Sequence, residues 1–144
     1  MRLAVVVVTH GQLAAELLNS AEMIVGDLPH FAAVSIGWHE DVDQAREAIA
    51  RTIERVQQTA GGTPEDPAGV VVLTDMFGGT PANLAVTFLE MNRVEVITGV
   101  NLAMLIKLAR PPKDVDLLTL AREMRDQGRS AIWVASDLIR GEKG

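Results

Sequence analysis

The 144-residue sequence contains no cysteine and no tyrosine, and aromatic residues make up only 3% of it. Without cysteine there is no thiolate nucleophile, no Cys-based zinc site and no disulfide framework. The scarcity of aromatics removes the stacking platforms on which single-stranded nucleic acids lie. Basic residues are in the minority: 13 Lys and Arg against 19 Asp and Glu give a formal charge of −6. That balance disfavours nucleic acid and anionic membrane as partners and suits a neutral or basic protein. Long apolar runs are also missing. No segment reaches the about 20 residues that a membrane span needs, and the run before His10 is too short for a signal-peptide core. The expectation is a cytoplasmic protein with no direct membrane insertion.

What is present suffices for one α/β domain over residues 1–144, with a polar tail from about residue 137. Hydrophobic residues are 48% of the chain, and a chain of this size buries about 68–70% of its unfolded surface without a staple. Residues 2–8 (RLAVVVV) form a near-continuous apolar run, the mark of a strand buried on both faces. Apolar residues at helical spacing follow over 12–25. A second strand is expected at 31–37 and a charged amphipathic helix at 41–58. The Gly- and Pro-rich segment 59–69 is read as a surface loop.

A third strand, VVVLTD, ends at Asp75. The MFGG turn leads to a helix over 80–91, with Thr80 as its N-cap and Pro81 at its first position. Strand 94–99, a short helix over 100–109, a helix over 114–128 closed by Gly128 and a final strand at 130–136 (SAIWVAS) complete the pattern. Trp133 is expected to be buried in that last strand, Trp38 to pack over a helix end, and most methionines to fill the core. Met76 and Phe77 sit in the loop after Asp75, where burial is least expected. Exposed apolar residues there would suit a protein-docking surface, with a packed loop as the equal alternative. Alternating strands and helices give a mostly parallel sheet covered on both faces. The expected strand order is the flavodoxin-like 2-1-3-4, with the last strand at an edge.

In such sheets ligands bind beyond the carboxyl ends of the strands, where the strand order reverses, here between strands 1 and 3. His10 follows strand 1 and Asp75 ends strand 3. Neighbouring strands lie roughly 4.8 Å apart, so the two side chains can meet. A carboxylate that accepts from one imidazole nitrogen fixes the tautomer and leaves the other nitrogen as a nucleophile. Gly78 and Gly79 allow a tight turn and close approach to a ligand. Thr80-Pro81 and Gly11 each open a helix start whose N–H groups favour an anion. Alone, each signal is weak: a histidine at a strand–helix turn is often a cap, and Gly-Gly-Thr-Pro is ordinary turn chemistry. Their convergence on one sheet edge points to a phosphohistidine. His30 and His39 are read as solvated.

The segments VVVVTHG, LTDMFGGTPAN and ITGVNLAMLIKL resemble the IIA component of the mannose-family bacterial sugar phosphotransferase system, with the middle segment the specific one. The resemblance runs to about residue 134. It implies that His10 accepts a phosphoryl group from the phosphocarrier HPr and passes it to a IIB component, with no metal and no cofactor. Asp75 would hold Nδ1, leaving Nε2 as acceptor, and Thr80 would donate to the phosphoryl oxygens. It further implies a homodimer that exchanges an antiparallel C-terminal edge strand, here SAIWVAS. Many members continue into a IIB domain, so the IIB partner is expected to be a separate protein or absent.

Two other readings stay open beside this one: the phosphotransfer subunit of dihydroxyacetone kinase, against which the GGTPAN loop argues, and a regulatory module whose docking depends on phosphorylation of His10. A response-regulator receiver would need an acidic pair after strand 1 for Mg²⁺, and Thr9-His10 stands there instead. His10 and Asp75 also lack a third ligand for a metal hydrolase.

Overall fold

The apolar run at the amino end forms β1, Leu3–His10, and Ala4 to Val8 are buried on both of its faces. The computed structural model describes residues 2–141. After β1 come α1 (Leu13–Val25), β2 (Phe31–Ile36), α2 (Val42–Thr59), β3 (Gly69–Thr74), α3 (Thr80–Ala85), β4 (Val94–Thr98), α4 (Leu102–Leu108), α5 (Leu117–Ser130) and α6 (Ala135–Ile139). The four strands make one parallel sheet in the order β2-β1-β3-β4, the flavodoxin-like order expected. β1 and β3 are central and wholly apolar in their interiors. The edge strand β2 instead alternates buried and half-buried residues, as a strand with one covered face does.

Each face of the sheet has its own core. Ala4, Val6 and Val8 of β1 pack with Ile49 and Val56 of α2 and Leu84 of α3. Val5 and Val7 pack on the opposite side with Ala14 of α1, Leu105 of α4, and Leu117 and Met124 of α5. Burying each such Leu or Val contributes about 1.5–3 kcal/mol, so these two layers hold the carboxyl ends of β1 and β3 rigidly side by side. Helix starts are capped where the sequence offers acceptors: Asp41 accepts from the Asp43 N–H and Asp116 from the Thr119 N–H. Asn101 accepts from the Met104 N–H at 3.1 Å, and its amide donates to the Gly128 carbonyl at 3.0 Å, tying α4 to α5.

Several expectations are corrected. The helix after Asp75 is shorter than 80–91. It gives way to a 3₁₀ turn at Val86–Phe88, where the Thr87 hydroxyl donates to the Leu84 carbonyl and competes with the helical ladder. Its cap is Gly79, so Thr80 and Pro81 lie inside its first turn. Gly128 does not close α5; it lies inside the helix, and a Cβ there would stand 2.9 Å from Cε of Met104. This glycine serves close packing of α5 on α4.

The expected strand at 130–136 does not form within this chain. α5 runs on to Ser130, the N–H groups of Ala131 and Ile132 bond back to Gly128 and Arg129, and α6 begins at Ala135. Too little extended backbone is left to reach the sheet, and Ile132, Trp133 and Val134 remain exposed. The polar tail expected from about 137 begins as the end of α6, and residues 142–144 lie outside those described. Met104 and Met124 fill the core, but Met23 and Met91 are exposed, as is Trp38, while Met76 and Phe77 are exposed in the loop where burial was least expected. Among the described residues, no helix is long and apolar enough to cross a membrane.

Candidate active site

The register of the sheet brings the candidate residues together. Val8 of β1 lies opposite Thr74 of β3, so His10 and Asp75 leave adjacent strands at the same level. Nδ1 of His10 is 2.7 Å from Oδ2 of Asp75. The same oxygen accepts from the His10 backbone N–H at 3.1 Å, and Oδ1 accepts from the Met76 N–H at 3.1 Å. Three donors thus converge on two oxygens. The His10 side chain is 52% exposed and that of Asp75 only 14%: the ring faces out and the carboxylate sits behind it.

Burial of Asp75 pushes its carboxyl upward, but the hydrogen bonds from the His10 ring and backbone, with attraction to the protonated ring, outweigh this. They hold the group below the ordinary aspartate value. The sign follows directly. Stability from this contact is present above the unfolded-state value and is lost only as the pH falls through the depressed one, so Asp75 is an anion throughout the neutral range.

On the other side of the ring stands the glycine turn. A Cβ on Gly79 would lie 2.8 Å from Cε1 of His10 and 3.3 Å from Nε2, so the backbone of this loop borders the Cε1–Nε2 edge. Gly78 takes φ +86° and Gly11 φ +55°, left-handed values that favour glycine. The Gly11 N–H bonds to the Ile36 carbonyl at 2.9 Å, fastening the turn after His10 to β2. Thr80 follows Gly79 at the start of α3. Among the described residues, no hydrogen bond joins Thr80 or Gly11 to the ring, and no three His, Asp or Glu side chains gather as a metal site. His30 and His39 are exposed, and among the described residues no hydrogen bond or ion pair joins either side chain to the pair.

Sequence reasoning missed Thr9. It is fully buried; its hydroxyl accepts from the Ala14 N–H at 2.7 Å and contacts the His10 carbonyl oxygen at 3.1 Å as donor. It thereby ties the strand end to the first turn of α1. The signal was a hydroxyl residue just before the helix, displaced from the usual cap position. The exposure of Trp38, at 93%, was not legible either, whereas that of Phe77, at 83%, is what its place in the loop after Asp75 suggested. A groove of about 450 Å³ lies elsewhere, between β4 and α5, and His10 opens onto open surface.

Fold and site together define an α/β protein of flavodoxin-like order with an exposed, carboxylate-oriented histidine at its switch point. The chain belongs to the family described as the PTS system fructose IIA component, which it matches over residues 4–120. Over 137 residues it is 32% identical to the PTS system mannose-specific EIIAB component of Escherichia coli (strain K12), covering 92% of this chain and 40% of that protein. It therefore spans two fifths of that relative's length. It is 26% identical over 142 residues to the PTS system fructose-specific EIIA component of Bacillus subtilis (strain 168), covering 98% of this chain and 92% of that one. The solved mannose/sorbose specific IIA subunit of the phosphotransferase system from Enterococcus faecalis aligns with a TM-score of 0.75 at 31% identity, over 93% of this chain and 95% of that one. The family expected from the LTDMFGGTPAN segment is the one found.

Proposed function

We propose that this chain is a phosphoryl relay, in which Nε2 of His10 takes a phosphoryl group from phospho-HPr and hands it to a IIB component of a sugar phosphotransferase system. The observation that carries this reading is the 2.7 Å contact of Nδ1 with Asp75, which leaves the Nε2 edge of a half-exposed ring open. In the transfer, the Nε2 lone pair attacks phosphorus in line with the donor's bond. The Nε2–P bond forms as the donor's bond to phosphorus breaks, and the donor keeps that electron pair. The Nδ1 proton stays against Asp75, so the phosphorylated ring carries positive charge facing a carboxylate.

Phosphoryl transfer has little covalent chemistry for a protein to do beyond positioning and charge stabilisation. Gly79 borders Nε2, so the group emerges beside the backbone of 78–80 and the Thr80 hydroxyl, which are assigned to its oxygens with the N–H groups that follow Gly11. An open ring suits a protein donor, which can bring its own phosphoryl group to the surface.

The test is intact-mass analysis after incubation with phosphoenolpyruvate, enzyme I and HPr, followed by fragmentation. The expected result is one acid-labile phosphoryl group located on His10. A group on His30 or His39, or no gain while HPr itself is phosphorylated, overturns the relay.

The outer edge of β4 supports a homodimer. Among the described residues no strand covers it, and the groove beside it is lined by Thr98, Leu118, Arg122, Arg125 and Ile132. An unpaired edge next to exposed Ile132, Trp133 and Val134 is a surface that proteins ordinarily cover. Sedimentation equilibrium is expected to return twice the chain mass, and Trp133→Glu to shift it toward one chain. A wild-type protein that sediments as a monomer at micromolar concentration rules the assembly out.

A further inference from the structure

Trp38 is 93% exposed, and the chain displays it deliberately. The turn that carries it is closed on itself: the Gly37 N–H donates to the Glu40 carboxylate at 2.9 Å, and the Glu40 N–H to the Gly37 carbonyl at 3.3 Å. The indole stands edge-on to His39, with ring centroids 6.2 Å apart, and finds no core to enter. This turn leaves β2 just after Ile36, whose partner across the ladder is His10. Trp38 therefore lies within about 12 Å of His10, by strand spacing and two residues of chain.

On the other flank of His10, the loop leaving β3 exposes Met76 and Phe77. The reactive ring is thus bracketed by exposed aromatic side chains carried on both neighbouring strands. Single exposed apolar residues need no explanation. Aromatics on both sides of one reactive group, one of them on a hydrogen-bonded turn, do need one.

Charge narrows what can cover them. The segments 11–12, 37–41, 75–79 and 99–101, which leave the carboxyl ends of the four strands, contain Glu40, Asp41 and Asp75 and no Lys or Arg. In the chain after Trp38 the next cation, Arg46, lies 3.8 Å from Asp43, whereas Arg122, Arg125 and Arg129 line the groove beside Gly99 and Asn101 at the opposite edge of the sheet from Trp38. The complement is an apolar patch ringed by basic side chains.

From these observations we infer that Trp38 is a specificity-determining residue, the anchor by which the protein donor of the phosphoryl group docks over His10 with an apolar, basic-rimmed surface. The inference rests on the relay reading above. A tryptophan at the centre of an interface is the residue whose truncation most often costs tenfold or more in affinity, while acidic rims mainly govern encounter and salt dependence.

The experiment compares wild type, Trp38→Ala and Trp38→Phe with two donors: phospho-HPr, which must dock, and phosphoramidate, a small phosphoryl donor that need not. With phospho-HPr, Trp38→Ala is expected to lose about tenfold in kcat/KM through KM, and Trp38→Phe to recover most of it. The loss should be confined to the protein donor, and added salt should raise KM for wild type. A Trp38→Ala variant that uses phospho-HPr as well as wild type overturns the docking role. So does an equal loss with phosphoramidate, which would place the effect on the ring itself. If phosphoramidate labels wild-type His10 and phospho-HPr does not, the relay from that donor falls, and the docking with it.

Discussion

An Asp75→Asn chain accepts a phosphoryl group about a thousandfold more slowly than wild type while keeping its fold, by analogy with the cost of losing the carboxylate behind a catalytic histidine. The reason lies in the count of donors. Oδ2 of Asp75 takes both the backbone N–H and the Nδ1 contact of His10, and Oδ1 takes the Met76 N–H. An amide has one acceptor where the carboxylate has two. If its oxygen stays on His10, its NH₂ group meets the Met76 N–H, donor against donor. If its oxygen turns to Met76, the NH₂ group faces the ring, where it favours the tautomer with the proton on Nε2 and removes the lone pair that attacks phosphorus. In both orientations the negative charge that would face the phosphorylated ring is gone. Rapid-quench measurement of acceptance from phospho-HPr reads the loss, and ¹⁵N shifts of the imidazole report the tautomer. A rate within tenfold of wild type would mean that Asp75 does not orient His10.

How much of this was legible follows from what each signal can carry. β1 and β3 stand out because a strand buried on both faces is apolar at every interior position, a pattern that Ala4 to Val8 and Val70 to Leu73 both show. Their adjacency, and with it the meeting of His10 and Asp75, came from the reversal of strand order alone. Residues 130–136 form no strand within this chain for the opposite reason. Ile132, Trp133 and Val134 have the composition of a strand, but composition does not say that α5 continues past Gly128 and uses up the chain. Gly128 itself gives one signal for two causes, a helix end or a close contact, and only the position of Met104 decides between them. Trp38 is another such case. An apolar side chain is read as buried by default, and the turn that holds this one outward is made by Glu40 and the backbone of Gly37. The contact of Gly79 with the ring left no trace in the sequence beyond the glycine.

That contact carries the second large effect: Gly79→Ala is expected to cut acceptance from phospho-HPr about a hundredfold, the scale of loss when a reacting group is displaced by about 1 Å. The backbone is not the obstacle, since Gly79 has φ −88° and ψ 169°, which alanine adopts freely. The obstacle is the ring. A Cβ would stand 2.8 Å from Cε1 and 3.3 Å from Nε2, with Cγ of Met76 at 3.7 Å closing another direction. The ring cannot retreat without lengthening its 2.7 Å contact with Asp75. Either the imidazole swings and loses its orientation, or the loop moves back and withdraws the donors assigned to the phosphoryl oxygens.

Gly78 gives the contrast. It has φ +86° and nothing within 4 Å of a Cβ, so alanine there strains the backbone by about 1–3 kcal/mol without touching the ring. Gly78→Ala should therefore lower the melting temperature more than it lowers the intrinsic rate. Gly79→Ala should do the reverse and should also disturb the imidazole ¹⁵N shifts. A Gly79→Ala chain that transfers within threefold of wild type, with unshifted ring resonances, would show that the loop yields without cost and that Asp75 alone sets the ring.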